Sequence, residues 1–380
     1  MRQNLQRFLL PIFVSIATLP VSANLNASVF DSEQPQQSTQ FLVSLPEIIY
    51  PSPLGISRFS YLTTDDSVLQ QLNAIVQLKG LNFPPPRTQG QATIPLKQQL
   101  EGSQVFTVEL TLGNQSGEFL LDTGASTTML STSMVERLGL EGKKVANEQL
   151  TSAVAGDDCP EMSATVHQLP TLTMDGVRVE ELRGLEFTNT LIPGELSGVL
   201  GMDFLRHFDL NLNPKTQQLK LLTPSQLNSA ETQQAIPLKS RLGVMLAEIE
   251  INGKGPFTFM LDTGADTIFI SPSLGLTLQL DQASRQEIQV IGFCGIEMAE
   301  RSTLKQVKIG DIEQTNLEAV ILSSPSVLDL LEVDGILGQN FLNHYEQYWR
   351  FNLTDEPRNE NSNNFEGSLI LTPIEQKPEN

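Results

Sequence analysis

The feature that most constrains the fold is the tripeptide Asp-Thr-Gly, which occurs twice, each time at the end of an apolar run. The first copy lies within Phe119–Thr127 and the second within Phe259–Thr267. A single copy could be an ordinary turn, because Asp and Gly are common turn residues. Two copies in the same longer context indicate a duplicated unit instead.

The similarity between the two copies continues on both sides of the tripeptide. Ile94–Lys97 recurs as Ile236–Lys239, and Gly198–Leu205 matches Gly335–Leu342. A period of this length indicates a repeated domain, since solenoid units are only about 20 to 50 residues long. The duplication therefore predicts two related lobes, each with one aspartate at the same structural position.

Composition excludes several classes of function. The formal net charge is −20, from 44 acidic and 24 basic residues in a chain of 380. Such a balance argues against nucleic acid and anionic membranes as partners, because both require basic patches. The three histidines are scattered without metal-ligand spacing, and no phosphate-binding loop is present. We therefore expect neither a metal nor a cofactor.

The N-terminus has the pattern of a secretory signal. Arg2 and Arg7 precede the apolar stretch Phe8–Val21, and Val21–Ala23 resembles a cleavage site with small residues. Residues 1–23 are therefore predicted to be a signal peptide, which places the protein in the periplasm or outside the cell. An uncleaved signal that anchors the protein in the membrane is the alternative.

Short runs with period-two alternation, separated by Gly, Pro, Asn and Asp, predict an all-β fold with a few short helices. Helices are expected near 131–138 and 202–207, and a helical rhythm also covers Asp65–Leu78. The predicted organisation comprises these parts: a linker or pro-segment at 24–90, lobe 1 at 91–225, a polar linker at 226–235, lobe 2 at 236–373 with an insertion at 354–366, and a tail at 374–380.

The residues around each tripeptide, apolar-apolar-Asp-Thr-Gly-Ala followed later by apolar-apolar-Gly, resemble those of the retroviral-type (retropepsin-like) aspartic proteases. The resemblance covers about 94–225 and again 236–373. It implies two β-barrel lobes related by a pseudo-twofold axis, with the active site at their interface. Because both halves lie in one chain, we expect a monomer in which the lobes pair intramolecularly.

The resemblance also implies a role for each residue of the duplicated motif. Asp122 and Asp262 would share one proton and activate a water for attack on a peptide bond. The residues that would support the two loops are Thr123, Gly124, Thr263 and Gly264. The residues that would line the substrate cleft are Ala125, Ser126, Ala265 and Asp266, with Gly156 and Gly292 from two mobile flaps.

The flaps are expected to be β-hairpins near Val154–Cys159 and Val290–Gly295. Cys159 and Cys294, the only cysteines, fall at corresponding places in these regions. The even count and the predicted oxidising location motivate the hypothesis of a disulfide between the flaps. The alternative is two unpaired, partly buried thiols.

Two functions of different classes remain open. The first is an endopeptidase that hydrolyses extended polypeptides through Asp122 and Asp262. The second is a catalytically inactive module on the same fold that binds peptides. A third interpretation, in which the aspartates are only turn residues, is disfavoured by the duplicated context.

Overall fold

The computed structural model describes residues 69–374 apart from 82, 100–102, 157–158, 160–161, 189, 191, 193–194 and 353–364. The predicted signal peptide, most of the 24–90 segment, most of the 354–366 insertion and the end of the tail lie outside the described residues. Among the described residues, no helix has the length and apolar character needed to cross a bilayer.

The fold is all-β with two lobes, as expected from the alternating apolar residues. Two short strands precede lobe 1: β1 (Leu69–Gln70) and β2 (Ala74–Leu78). The prediction of a helix over Asp65–Leu78 is wrong for its described part. The apolar residues Leu72, Ile75 and Val76 are all buried, but their surroundings are strands of both lobes, and backbone pairing with those strands overrides the helical rhythm.

Lobe 1 is a set of short strands around an apolar interior. Its strands are β3 (Arg87–Gln89), β4 (Ala92–Pro95), β5 (Lys97–Gln98), β6 (Phe106–Leu112), β7 (Gln115–Leu121), β8 (Met129–Leu130), β9 (Gly142–Lys144), β10 (Leu150–Val154), β11 (Ala164–Gln168), β12 (Leu172–Met174), β13 (Val177–Glu180), β14 (Arg183–Phe187), β15 (Gly198–Leu200), β16 (Asp209–Asn213) and β17 (Gln218–Leu222). Ten of them form a continuous sheet in the order β3-β13-β12-β6-β7-β15-β8-β14-β11-β9, and β5 pairs with β6.

Lobe 2 repeats this plan with longer strands. They are β18 (Ile236–Arg241), β19 (Val244–Ile251), β20 (Lys254–Leu261), β21 (Ile268–Ile270), β22 (Gln286–Gly292), β23 (Gly295–Ile309), β24 (Ile312–Leu322), β25 (Gly335–Leu337), β26 (Tyr345–Asn352) and β27 (Glu366–Pro373). In both lobes the strand that ends at the aspartate pairs in parallel with the later Gly-containing strand, β7 with β15 and β20 with β25.

The helices are short, and some begin at a residue whose side chain caps the first turn. They are α1 (Thr132–Leu138), α2 (Met202–Leu205), α3 (Ser229–Gln234), α4 (Pro272–Thr277), α5 (Ser326–Leu331) and α6 (Gln339–Leu342). The side chain of Ser131 caps α1, which ends at Gly139 in the left-handed conformation (φ 61°). The region predicted as a polar linker contains α3, because Asn228 and Glu231 form a capping box.

A sheet shared by the two lobes joins them. Its strands run in the order β18-β27-β26-β16-β17-β4, so that β16 of lobe 1 pairs antiparallel with β26 of lobe 2. Leu210 is paired with Trp349 at this boundary, and both side chains are buried. Pairing across the boundary holds the two lobes side by side and brings the two Asp-Thr-Gly loops into contact.

Candidate active site

Asp122 and Asp262 occupy equivalent positions at the ends of β7 and β20. The backbone N–H of Asp122 donates to the carbonyl of Leu200 at 3.2 Å, and that of Asp262 donates to the carbonyl of Leu337 at 3.0 Å. Both aspartates are fully buried. The strands β15 and β25, which carry those carbonyls, therefore set the position at which each carboxyl group leaves its strand.

The threonines of the two tripeptides tie the loops together across the lobe boundary. Each hydroxyl accepts from the backbone N–H of the other threonine at 3.0 Å. The Thr123 hydroxyl donates to the carbonyl of Leu261 at 3.0 Å, and the Thr263 hydroxyl donates to the carbonyl of Leu121 at 2.8 Å. These four buried hydrogen bonds make the relative position of the loops rigid.

The glycines allow the two carboxyl groups to face each other. The N–H of Gly124 donates to Oδ1 of Asp122, and the N–H of Gly264 donates to Oδ1 of Asp262, both at 2.7 Å. A Cβ atom on Gly124 would lie 2.3 Å from Cγ of Asp262, and one on Gly264 would lie 2.6 Å from Cγ of Asp122. Each glycine therefore packs directly against the carboxyl group of the opposite lobe.

Burial is the main cause that raises the pKa of both carboxyl groups. The pKa of Asp122 is raised well above its usual value by burial and then by the charge of Asp262. Burial raises the pKa of Asp262 to about 6, against the opposing effect of hydrogen bonds from the Gly264 N–H and other donors. Two adjacent carboxyl groups without a cation cannot both ionise cheaply, so the pair retains a proton near neutral pH.

A third polar side chain reaches the carboxyl pair. Asn73, fully buried, donates from Nδ2 to Oδ2 of Asp262 at 3.2 Å. Oδ2 of Asp122 has no hydrogen-bond partner among the described residues. Sequence reasoning missed Asn73 because it lies outside the duplicated units. The signal in the sequence is weak: a polar side chain between the apolar residues Leu72 and Ala74.

The residues predicted to line the cleft contact the strand segment that contains Asn73. Ala125 and Ala265 are fully buried and form isolated β-bridges with Ala74 and Gln71, respectively. Oγ of Ser126 accepts from the N–H of Val76 at 2.8 Å. Oδ2 of Asp266 accepts from the N–H of Gln70 at 3.0 Å, and burial raises the pKa of this carboxyl group.

Among the residues that the structure describes, only one of the two flap regions forms a hairpin. β22 and β23 pair down to Gly292 and Gly295, as predicted. The prediction of a hairpin at Val154–Cys159 is wrong, because β10 pairs with β2 while β11 pairs with β9 and β14. The backbone of the N-terminal segment takes the place that a returning flap strand would occupy beside β10.

The tips of the two flap regions contact each other. The N–H of Cys294 donates to the carbonyl of Ala155 at 2.8 Å. A Cβ atom on Gly292 would lie 2.4 Å from that carbonyl oxygen, and one on Gly156 would lie 2.8 Å from the carbonyl carbon of Cys294. The structure thus places both glycines at the junction between the tips, where only a residue without a side chain fits.

A disulfide joins Cys159 to Cys294, with their Cα atoms 4.9 Å apart. It closes a loop of 135 residues and links the two flap regions covalently. The structure therefore contradicts the alternative of two unpaired thiols, since Cys159 and Cys294 are bonded to each other between the lobes.

We expect the double substitution Cys159→Ser/Cys294→Ser to lower the free energy of unfolding by about 2–5 kcal/mol, because removal of the cross-link gives conformational freedom back to the unfolded chain. Denaturant titration of the variant and of the oxidised and reduced wild-type protein measures this. The reduced wild type should match the variant. Equal midpoints for all three samples would contradict a stabilising bond.

Asp203, in the first turn of α2, binds the chain just after the first aspartate loop and does not cap the helix. The N-cap of α2 is Gly201, and Oδ1 of Asp203 accepts from the N–H and the hydroxyl of Thr128 at 2.8 and 2.7 Å. Its lobe 2 counterpart Asn340 instead donates to the hydroxyl of Thr267 at 2.7 Å. Both residues hold the chain just after the aspartate loop against the helix that follows the second apolar strand.

Comparisons with known proteins match each half of the chain separately. Residues 108–204 match a family model described as aspartyl protease, and residues 247–344 match one described as gag-polyprotein putative aspartyl protease. None of the curated proteins compared with the chain matches it. Among solved structures, a retropepsin-like aspartic protease from Rickettsia conorii is 18% identical over 37% of this chain and 93% of its own, with a TM-score of 0.25. A similarity this low supports no functional argument.

Proposed function

We propose that the chain is an endopeptidase with Asp122 and Asp262 as its catalytic pair. The premise is that the chain belongs to the retropepsin-like aspartic proteases and carries two copies of their domain in tandem. The observation that carries the proposal is the approach of two fully buried carboxyl groups, each packed against the glycine of the opposite loop. Among the described residues, no positively charged side chain forms an ion pair with either carboxyl group. A shared proton is the simplest way for such a pair to remain buried.

The proposed reaction uses one ionised and one protonated carboxyl group. The ionised group removes a proton from a water bound between them, and the resulting hydroxide attacks the carbonyl carbon of the peptide. The protonated group donates its proton to the carbonyl oxygen, which yields a neutral tetrahedral diol. Transfer of a proton to the nitrogen and cleavage of the C–N bond then release an amine and a carboxylic acid.

The substrate class follows from the groups that line the cleft. The loops after the aspartates present backbone N–H and C=O groups at Ser126, Gly264 and Asp266, and the flap regions present those of Ala155 and Ile291. Groups of this kind bind a chain in extended conformation by strand addition. We therefore propose an extended polypeptide as substrate.

We also propose that the protein works outside the cytoplasm as a monomer. The disulfide between Cys159 and Cys294 supports the location, since such bonds persist mainly in oxidising compartments. The pairing of β16 with β26 in one chain supports the monomer, because each lobe already has its complementary lobe.

The test is cleavage of an unfolded protein substrate, measured by the appearance of new N-termini, with and without a statine-type transition-state mimic. We expect cleavage that the mimic suppresses.

The second candidate function, a module that binds peptides without cleaving them, is favoured by the extended segment around Asn73, because the loops after both aspartates already bind its backbone. It predicts tight binding of extended peptides and no new N-termini under any condition.

The pH dependence should follow the ionisation of the carboxyl pair. Because burial raises the pKa of Asp262 to about 6 and raises that of Asp122 well above its usual value, both groups are protonated below that pH. The singly ionised pair forms above about 6, so we expect kcat to decrease about tenfold per pH unit below it. Activity should decrease again where Asp122 loses its proton. A kcat that is constant from pH 4 to 7 would contradict this assignment.

A further inference from the structure

The segment Leu69–Leu78 lies between the Asp-Thr-Gly loops and the flap regions, in the space where a substrate would bind. Seven consecutive residues of it, Gln70 to Val76, have at most 6% of their surface exposed. Lys79 and Gly80, directly after the segment, are exposed. Burial of this degree leaves no room beside the segment for a second extended chain.

Both aspartate loops bind the backbone of the segment. On the side of lobe 2, the N–H of Leu72 donates to the carbonyl of Gly264 at 3.1 Å, and the carbonyl of Gln70 accepts from the N–H of Asp266 at 3.1 Å. On the side of lobe 1, the carbonyl of Ala74 accepts from the N–H of Ser126 at 3.0 Å. The segment thus uses the backbone groups that an external peptide would need.

The flap regions bind the same segment from the other side. β1 pairs in parallel with β22, and β2 pairs antiparallel with β10. The N–H of Ala155 donates to the carbonyl of Asn73 at 3.1 Å, and the N–H of Gln71 donates to the carbonyl of Ile291 at 3.0 Å. The disulfide between Cys159 and Cys294 links the flap regions, so release of the segment requires both to move as a connected unit.

Asn73 is at the centre of the occupied cleft. It lies three residues from Gln70, which binds Asp266, and three residues from Val76, which binds Ser126. Its Nδ2 donates to Oδ2 of Asp262, the oxygen that faces away from the Gly264 N–H. In this arrangement a side-chain amide occupies a hydrogen-bonding position that the proposed reaction requires for water.

We propose that Leu69–Leu78 is an intramolecular peptide ligand that keeps the cleft closed to other polypeptides, and that the site becomes accessible when this segment is displaced. The inference rests on the proposed function, since it assigns a regulatory element to the same site. A segment tethered this closely has an effective concentration on the order of millimolar. An external peptide of similar affinity at micromolar concentration is therefore outcompeted by about a thousandfold.

The segment also indicates which substrates the cleft accepts. None of the residues from Gln70 to Val76 is charged, and apart from Leu72, Ile75 and Val76 they have amide or small side chains. Burial of an unpaired charge is costly, so an external chain with Lys, Arg, Asp or Glu at these positions would bind poorly. The favoured substrates are stretches of about seven uncharged residues.

The test uses Leu72→Asp in the full chain, which places a charge at a fully buried position of the segment without altering either lobe. The matched control is Leu276→Asp, the same change at a residue of α4 that is 66% exposed. Three quantities are measured for the wild type and both variants: amide hydrogen exchange of 70–76, binding of a labelled synthetic copy of Leu69–Leu78, and cleavage of an unfolded protein. The labelled copy carries the native sequence.

In Leu72→Asp we expect rapid exchange at 70–76, binding of the labelled peptide at least tenfold tighter than in the wild type, and at least tenfold faster cleavage. Leu276→Asp should behave as the wild type does. Equal peptide binding by the wild type and Leu72→Asp would overturn the inference, as would measurable cleavage at equal rates, and in the latter case the proposed function would stand. Selective peptide binding without cleavage in any sample would leave the occupied cleft supported and would refute the endopeptidase.

If Leu72→Asp does not fold, Gln70→Pro provides the second variant. It removes the N–H that donates to Asp266 at 3.0 Å and adds no charge. We expect the same direction of change with a smaller size, about threefold in peptide binding and in cleavage. Peptide binding and cleavage identical to those of the wild type would count against the segment as the occupant of the cleft.

Discussion

Substitution of Asp122 by Asn is expected to reduce cleavage by about 10²–10⁴-fold or more while the fold remains intact. Asn has the same shape as Asp, and its oxygen still accepts from the N–H of Gly124. An amide does not ionise near neutral pH, so the pair loses the acid or base that the reaction needs. The rate at which new N-termini appear is measured with and without Asp122→Asn, both in the otherwise wild-type chain and in the Leu72→Asp background. The second background is needed because an occupied cleft would hide the effect.

The stability of Asp122→Asn separates a lost reaction from a lost fold. Because burial and Asp262 raise the pKa of Asp122, keeping this group protonated at pH 7, where it is ionised in the unfolded chain, costs free energy. A neutral amide removes that cost, so the free energy of unfolding at pH 7 should be unchanged or higher. Denaturant titration checks this expectation. Reduced stability together with reduced cleavage would point to a structural cause instead.

Asp203→Asn is the matched control for that experiment. Asp203 is a partly buried aspartate of lobe 1 whose pKa is also raised by burial of its carboxyl group, and lobe 2 already has an asparagine, Asn340, at the equivalent position. Its carboxyl group contacts Thr127 and Thr128 and not Asp122 or Asp262. We expect cleavage within about threefold of the wild type. Wild-type turnover in Asp122→Asn would refute the catalytic assignment.

Substitution of Gly124 by Ala should have the second largest effect. The added Cβ would lie 2.3 Å from both Cγ and Oδ2 of Asp262, a distance that forces the loops apart. Overpacking of this kind costs about 1–3 kcal/mol of stability. Displacement of a reacting group by about 1 Å costs on the order of 10²-fold in rate. We therefore expect at least that loss of cleavage together with a lower midpoint of unfolding.

Gly275→Ala is the control for the glycine substitution. Gly275 lies within α4, and a Cβ there would meet only methyl and methylene groups of Ile321, the nearest at 3.3 Å. Ala also favours the helical conformation over Gly. Cleavage should be unchanged, and stability unchanged or slightly higher. If Gly124→Ala retained full cleavage, the close approach of the two loops would not be needed for turnover.

The comparison of the two lobes explains why the carboxyl pair could be predicted from the sequence. Residues 108–204 and 247–344 each match an aspartyl protease model, and the local pattern around Asp122 and Asp262 is the same. Each lobe forms its strand, its tight loop and its supporting strand from contacts within about 100 residues. A duplicated pattern then implies a duplicated position, and the threonine hydrogen bonds follow from it.

The flaps show the limit of reasoning by duplication. The two regions have similar positions in the sequence, yet in the described part of them only β22 and β23 form a hairpin. β10 has its partner in β2, which lies more than 70 residues earlier in the chain. Strand pairing at this sequence distance depends on which backbone is nearby after the lobes have assembled, and no local pattern encodes that.

By itself, the sequence determined the all-β duplicated architecture, the pair of aspartates, the two short helices predicted in lobe 1 and the corresponding positions of Cys159 and Cys294, because each depends on a local pattern or on its repetition. Only the tertiary structure decided what fills the cleft. Leu69–Leu78 has a helical rhythm as an isolated stretch. In the folded protein, however, the two lobes and the two flap regions form hydrogen bonds with its backbone and bury its apolar side chains. That environment exists only after the two halves meet, so the conformation of the segment is a property of the assembled fold.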